Sequence, residues 1–342
     1  MKTVTVVRGL TGTFKNTLIL LLFCLGISAC ESNDVPQQTT GKTNVPLAFK
    51  VNFDGTWTEN SRGGMGSRGT PTNSLQDFFA LYASYYETDG EATQTMNFMQ
   101  NEKAGSYENE IRTINTFTPP PIHKPMHFYA YYPYEESTAV VRHIEFTEGN
   151  TSYQGVPYFS FTLNDKVKEQ VDLMVADTIA STNDVLLRNH IPLRFVHLLT
   201  AVRFVVDASV PEGTLKTIAI NNVANGGTYA YSTRTWQTVN TTMNNYQIEP
   251  NLVVGGERKE IAADSTFMMM PQAMGDDANI EVTINNGSDH TVKASLAGRT
   301  WQGGKVVTYN IKINKLESGK YGMSLTVKVS DWEDVAKAHY TF

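Results

Sequence analysis

"LRFVHLLTAVRFVVD", residues 193–207, decides how the chain reads. Apolar side chains recur there at about every second position, and many are β-branched or aromatic. A helix would need them every third and fourth. Alternation of this kind fits extended backbone with one face against a core. The same period returns in "LAFKVNF" (47–53), "FFALYASYY" (78–86), "MHFYAYYP" (126–133), "VVRHIEF" (140–146) and "YFSFTL" (158–163). It continues in "LKTIAI" (215–220), "NIEVTI" (279–284), "TVKASL" (291–296), "KVVTYNIKI" (305–313) and "GMSLTVKV" (322–329). Turn signals lie between these runs: Asn225-Gly226-Gly227, Asn286-Gly287, Gly303-Gly304 and Ser318-Gly319. Only "VKEQVDLMVA" (167–176) offers a short helix. Many short strands at this spacing predict an all-β chain of antiparallel β-sandwiches. At about 150 residues per domain the length predicts two of them. The polar stretch Ser181–His190 marks their boundary, giving domains at 46–186 and 187–342.

The first residues set the compartment. Lys2, Arg8 and Lys15 precede the apolar run Leu18–Ile27, which closes on Ser28, Ala29 and Cys30. That pattern is a secretory signal over 1–29, too short for a stable membrane span. Its end, Ile27-Ser28-Ala29-Cys30, resembles a bacterial lipobox, in which the cysteine is acylated and becomes the first mature residue. Cleavage after Ala29 without a lipid is the alternative. Cys24 leaves with the signal and Cys30 would carry the lipid, so no thiol remains for a disulfide, a zinc-thiolate site or a nucleophile. Residues 30–45 are polar and contain proline, which predicts a disordered tether.

Loss of the three basic residues in the signal takes the formal net charge from −6 to −9. An acidic exported protein is a poor polyanion binder. This matters for "SRGGMGSRG" (61–69), whose composition also suits an RGG segment that tracks nucleic acid. The charge argues against nucleic acid and leaves two readings open. One is an ordinary surface connection. The other is an exposed loop that offers Arg62 and Arg68 to a protease.

No catalytic signature such as G-x-S-x-G, HExxH or a phosphate loop is present, so the sequence gives no reason to propose an enzyme, a cofactor or a metal. His123 and His127 in "HKPMH" are spaced for one helix face, but Pro125 and the following strand argue for exposed loop histidines. His197 shares a strand face with Phe195 and Leu199, the position of a hydrogen-bonded core histidine. Asp276 and Asp277 follow a glycine and suit a turn. The Tyr129/Tyr131 face of "FYAYYPY" would stack on sugars if exposed, and pack between sheets if not. Trp236, Trp301 and Trp332 sit near turns or strand ends, where they plug a sandwich.

Six stretches occur in one order: "MHFYAYYP" (126–133), "VDLMVA" (171–176), "LRFVHLLTAVRFVV" (193–206), "MMMPQAM" (268–274), "WQGGKVVTYNIKI" (301–313) and "VSDWED" (329–334). With the lipobox, this set resembles the fimbrillin-like proteins of the FimA/Mfa type, lipoprotein precursors of type V pili in Gram-negative anaerobes. The resemblance implies two tandem transthyretin-like β-sandwich domains in a subunit of a cell-surface fimbria that contributes to adhesion. It further implies an outer-membrane lipid anchor, other pilus subunits as partners, and an arginine-specific protease that cuts in the loop holding Arg62 and Arg68. Cutting would remove the first strand, and a strand from the next subunit would fill the groove. A monomeric surface lipoprotein that binds host proteins or glycans on the same scaffold is the alternative.

Physical reasoning supports such a switch independently. "LAFKVNF" places Leu47, Phe49, Val51 and Phe53 on one face. At about 1.5–3 kcal/mol per buried side chain, that face is worth roughly 6–12 kcal/mol before entropy costs. Loss of the strand would leave an apolar groove and unpaired sheet edges. A strand donated by a neighbour would restore both, and head-to-tail repetition would make a fibre.

Overall fold

The run at 193–207 is two strands, not one. In the computed structural model, which describes residues 44–53, 77–85, 96–107, 110–118, 120, 124–136, 143–148, 156–183 and 190–332, the chain breaks at Leu198-Leu199. The strands up to that break are β1 (Phe49–Phe53), β2 (Phe79–Tyr85), β3 (Met99–Tyr107), β4 (Glu110–Thr113), β5 (Pro125–Tyr132), β6 (Ile144–Thr147), β7 (Tyr158–Thr162), β8 (Met174–Ser181) and β9 (Ile191–His197). After it come β10 (Thr200–Val206), β11 (Gly213–Ala224), β12 (Gly226–Ala230), β13 (Thr235–Val239), β14 (Met243–Ile248) and β15 (Leu252–Val254). The last are β16 (Lys259–Glu260), β17 (Phe267–Met269), β18 (Asn279–Asn285), β19 (Asp289–Ser295), β20 (Lys305–Lys315) and β21 (Tyr321–Asp331).

These strands make four sheets. A seven-stranded sheet runs β1-β9-β8-β5-β2-β3-β4, and a smaller one runs β13-β12-β7-β6. Two five-stranded sheets follow, β16-β10-β20-β21 with β17 on β10, and β14-β11-β18-β19 with β15 on β11. The all-β class is therefore the one observed. Two ladders depart from the antiparallel expectation, because β1 runs parallel to β9 and β10 runs parallel to β20. Both join strands far apart in sequence, where no tight turn dictates direction.

The doublet Leu198-Leu199 explains the break. Before it, Leu193, Phe195 and His197 share one face; after it, Val202, Phe204 and Val206 do. The phase of alternation slips by one, which moves the apolar face to the other side of the chain. Leu193 and Phe195 enter a core with Phe79, Phe128 and Leu81. Leu199, Val202 and Phe204 enter a second, larger core with Ile218, Ile280, Tyr309 and Ile311. The boundary expected at 186/187 lies outside the described residues.

The seven-stranded sheet is buried on both faces. One face holds the smaller core; Tyr82, Tyr129, Tyr131 and Val175 on the other join Phe159 and Tyr229 of the four-stranded sheet, and Tyr231 just after β12, in the larger one. Short helix character at 167–176 is limited to one 3-10 turn at Val167–Glu169. The residues after it have tertiary roles that extended backbone serves: the Gln170 carboxamide accepts from Met268 N–H at 2.8 Å, and Asp172 meets His197.

Asn225-Gly226-Gly227 is not a tight turn. Gly226 and Gly227 lie inside β12, between β7 and β13. A Cβ on Gly226 would meet the Phe161 carbonyl oxygen at 2.2 Å, and one on Gly227 the Thr238 carbonyl oxygen at 2.3 Å. Glycine is needed there for close backbone approach. Gly227→Ala is expected to cost about 1–3 kcal/mol by overpacking, read as a lower urea midpoint; an unchanged midpoint would mean that the ladder relaxes freely.

Candidate assembly site

The segment around β1 is held on both flanks. On one side β1 lies parallel to β9, with Phe49 opposite Ile191, Val51 opposite Leu193 and Phe53 opposite Phe195. Ile191 N–H donates to the Ala48 carbonyl at 2.9 Å. On the other side Ala48 bridges Arg112 and Val45 bridges Phe117. Thr113 N–H donates to the Leu47 carbonyl at 2.9 Å, and Leu47 N–H donates to the Thr113 hydroxyl at 3.0 Å. Val45 and Phe117 exchange both backbone bonds, at 3.0 and 2.9 Å. Residues 45–53 thus join β9 to β4, the two edges of the other six strands, and close the sheet around the smaller core.

The side chains follow the alternation. Leu47 and Phe49 are each 2% exposed, while Val51 and Phe53 are half-buried against the same core. Phe49 meets Phe79 edge-on, with centroids 5.9 Å apart, and Phe128 at 6.1 Å. Phe53 stacks on Phe195 at 6.3 Å. The slot beneath the segment is aromatic, and the rings fill it in edge-to-face contacts that an aliphatic replacement would not reproduce.

Leu47, Phe49, Val51 and Phe53 are therefore together on one face, as the alternation predicts. Cys30, Arg62 and Arg68 lie outside the described residues. The second flank of the segment was not legible. β3 and β4 are mostly polar and only partly buried, and "MQNEKAGSY" shows no clean alternation because only Met99, Ala104 and Gly105 among its residues are buried. Phe117, which packs against the core, was the available signal.

His197 is the buried, hydrogen-bonded histidine expected from its position. Its Nδ1 lies 2.9 Å from Asp172 Oδ1, with both side chains 3% exposed, and its ring stacks on Trp332 at 4.3 Å. Leu199 does not share its strand, since the chain breaks between them. His127 lies in β5 with Nδ1 3.2 Å from the Tyr129 hydroxyl, and burial pushes its pKa down; His123 lies outside the described residues. Asp277 sits in a turn, where its carbonyl accepts from the Asn222 and Asn279 carboxamides.

The Tyr129/Tyr131 face is not an exposed platform. Tyr129 is 7% exposed and packs on Tyr231 with centroids 5.2 Å apart; Tyr131 is fully buried beside Phe146 and Phe159. The Tyr231 hydroxyl donates to the Ala130 carbonyl at 2.7 Å. These rings are the packing layer between two sheets and offer no face to a sugar. The tryptophans also pack internally: Trp236 donates to the Leu198 carbonyl, Trp301 donates to the Tyr309 hydroxyl, and Trp332 covers His197.

Solved structures of Bacteroides proteins share this fold. A fimbrial protein from Bacteroides vulgatus is similar with a TM-score of 0.57 at 15% identity, over 85% of this chain and 100% of that one. Candidate cell adhesion proteins from Bacteroides ovatus and Bacteroides uniformis give TM-scores of 0.53 and 0.50 at 13% and 19% identity. They are matched over 85% and 86% of this chain and 98% and 100% of theirs. No curated protein matches in sequence. Residues 68–332 fit the fimbrillin-like family model, and the chain belongs to that family.

Proposed function

We propose that this chain is an exported, lipid-anchored structural or accessory subunit of a cell-surface fimbria that contributes to adhesion, assembled by donor-strand exchange. The observation that carries this reading is the double-flanked segment 45–53, whose inward side chains fill a slot between β9 and β4. Such a segment has the attributes of a removable wedge. Its loss leaves two unpaired edges and an apolar slot, both of which an incoming strand satisfies. Family membership and likeness to a fimbrial protein fit a pilus or adhesion subunit.

In this reading the signal over 1–29 is removed, Cys30 carries the acyl chain in the outer membrane, and 30–45 is the tether to two tandem transthyretin-like domains. An arginine-specific protease cuts after Arg62 or Arg68, which frees the body from both the first strand and the anchor. Other pilus subunits, of the same or another kind, supply the replacement strand. No cofactor or catalysis is involved.

Treatment of the purified precursor with an arginine-specific protease tests this. The expected result is a new N-terminus at Gly63 or Gly69, followed by a ladder of oligomers on native gels. A precursor that is cut but stays monomeric in the presence of donor subunits would overturn polymerisation. Resistance to the protease at both arginines would overturn the cleavage step.

A further inference from the structure

We infer that the outer face of the β10–β20–β21 sheet is a binding groove for an extended acidic peptide segment. The groove encloses about 1040 Å³, floored by β10 and β20 and walled by the segment 258–263 and by β21. Arg203 on β10 pairs with Thr308 on β20, and Thr308 pairs with Lys328 on β21. Residues paired across a sheet point to the same side, so a guanidinium, a hydroxyl and an ammonium stand in one row across three strands. Arg258 and Lys305 add cations at the rim, against two acids, Glu260 and Asp331. Both acids are already engaged, Asp331 by Lys305 and Glu260 by Arg258 at 4.0 Å. Four cations against two acids give a local excess of +2 on a chain whose formal net charge is −6.

Arg203 is the centre of the site. It is half-buried, and its one hydrogen bond among the described residues runs from Nε to the Thr266 hydroxyl at 3.3 Å. The two terminal nitrogens have no partner among the described residues. Burial pushes the pKa of this guanidinium down, opposed by the nearby charge of Glu260. A desolvated guanidinium with an unused fork matches a carboxylate held in two parallel hydrogen bonds.

Geometry favours a peptide over a single small anion. Arg203 and Lys328 lie two strand spacings apart, about 10 Å between backbones, so their preferred ligand carries acid groups at intervals along a chain. Apolar Val205, two residues from Arg203 along β10, and Ile261 also line the groove. They suit alkyl side chains alternating with the acids better than they suit sugar hydroxyls. The inference does not rest on strand exchange, since a chain that never polymerises still has this groove.

Titration of the full-length chain with a fluorescein-labelled peptide alternating glutamate and valine tests it, read by anisotropy. The glutamine–valine counterpart and a sulfated heparin oligosaccharide serve as comparisons. Saturable binding of the glutamate peptide, weakened by salt and absent for the glutamine peptide, is expected. Arg203→Lys keeps the charge but loses the fork and is expected to weaken binding about tenfold. Lys328→Gln, at an exposed position, is expected to weaken it about threefold while thermal melting stays unchanged. Equal affinity for both peptides, binding of heparin alone, or unaltered affinity in correctly folded Lys328→Gln would each overturn the proposal.

Discussion

Urea denaturation of Phe49→Ala is expected to show a loss of about 3–5 kcal/mol, a large fraction of the stability of an ordinary domain. Phe49 is 2% exposed and meets two aromatic rings edge-on, Phe79 and Phe128. Truncation leaves a cavity where three rings converge, and close-packed neighbours do not fully collapse into it. The neighbouring Phe53→Ala is expected to cost only about 1–2 kcal/mol, because that ring is half-buried and makes one stacked contact. A synthetic peptide covering "PLAFKVNF", residues 46–53, added to chain lacking its first strand is expected to raise the melting temperature, while the same peptide with alanine for Phe49 is not. A Phe49→Ala loss no larger than that of Phe53→Ala would show that the segment is a lid over a preformed core rather than part of it.

His197→Ala is expected to destabilise by about 2–4 kcal/mol, from a lost buried hydrogen bond and a lost ring contact. The imidazole lies between the Asp172 carboxylate and the Trp332 ring, and both neighbours are buried. Its removal leaves a carboxylate at 3% exposure without the imidazole, and a large ring without the surface it stacks on. A double-mutant cycle with Asp172→Ala separates these effects. Coupling of about 1–3 kcal/mol between the two sites is expected, and additive losses would mean that the imidazole acts through its stacking alone. Asp172, His197 and Trp332 together tie three distant parts of the chain: the loop before β8, the end of β9 and the residue after β21.

The elements that the sequence announces are those with at least one face against a core. β7, β18 and β20 alternate because their inward residues face a core and their outward residues face water or a polar layer, whereas β5 is apolar throughout because it is buried on both faces. β3 was invisible, because most of "MQNEKAGSY" meets solvent and its pairing depends on β2 and β4 rather than on its own pattern. The glycine pair at 226–227 carried a turn signal, yet its requirement comes from carbonyl oxygens on two other strands. The break at Leu198-Leu199 was present as a slip in the phase of alternation. Its meaning, a passage from one core to another, needs the partners of both halves. The face of Leu47, Phe49, Val51 and Phe53 was legible for the same reason as β7. The row Arg203–Thr308–Lys328 was not, since its members are joined only by the register of three strands.

The parallel alignment of β1 and β9 has a mechanical consequence. A hairpin pulled from its open end loses its rungs one at a time, each against a small force. β1 meets β9 through Phe49–Phe53 alongside Ile191–Phe195 in the same direction. Tension applied from the residues before Val45 therefore runs along the strand axis and loads those rungs together, in shear. Forced extraction under such loading is governed by the unfolding barrier rather than by equilibrium stability. A chain tugged from its leading end thus grips hardest at the strand nearest the pull.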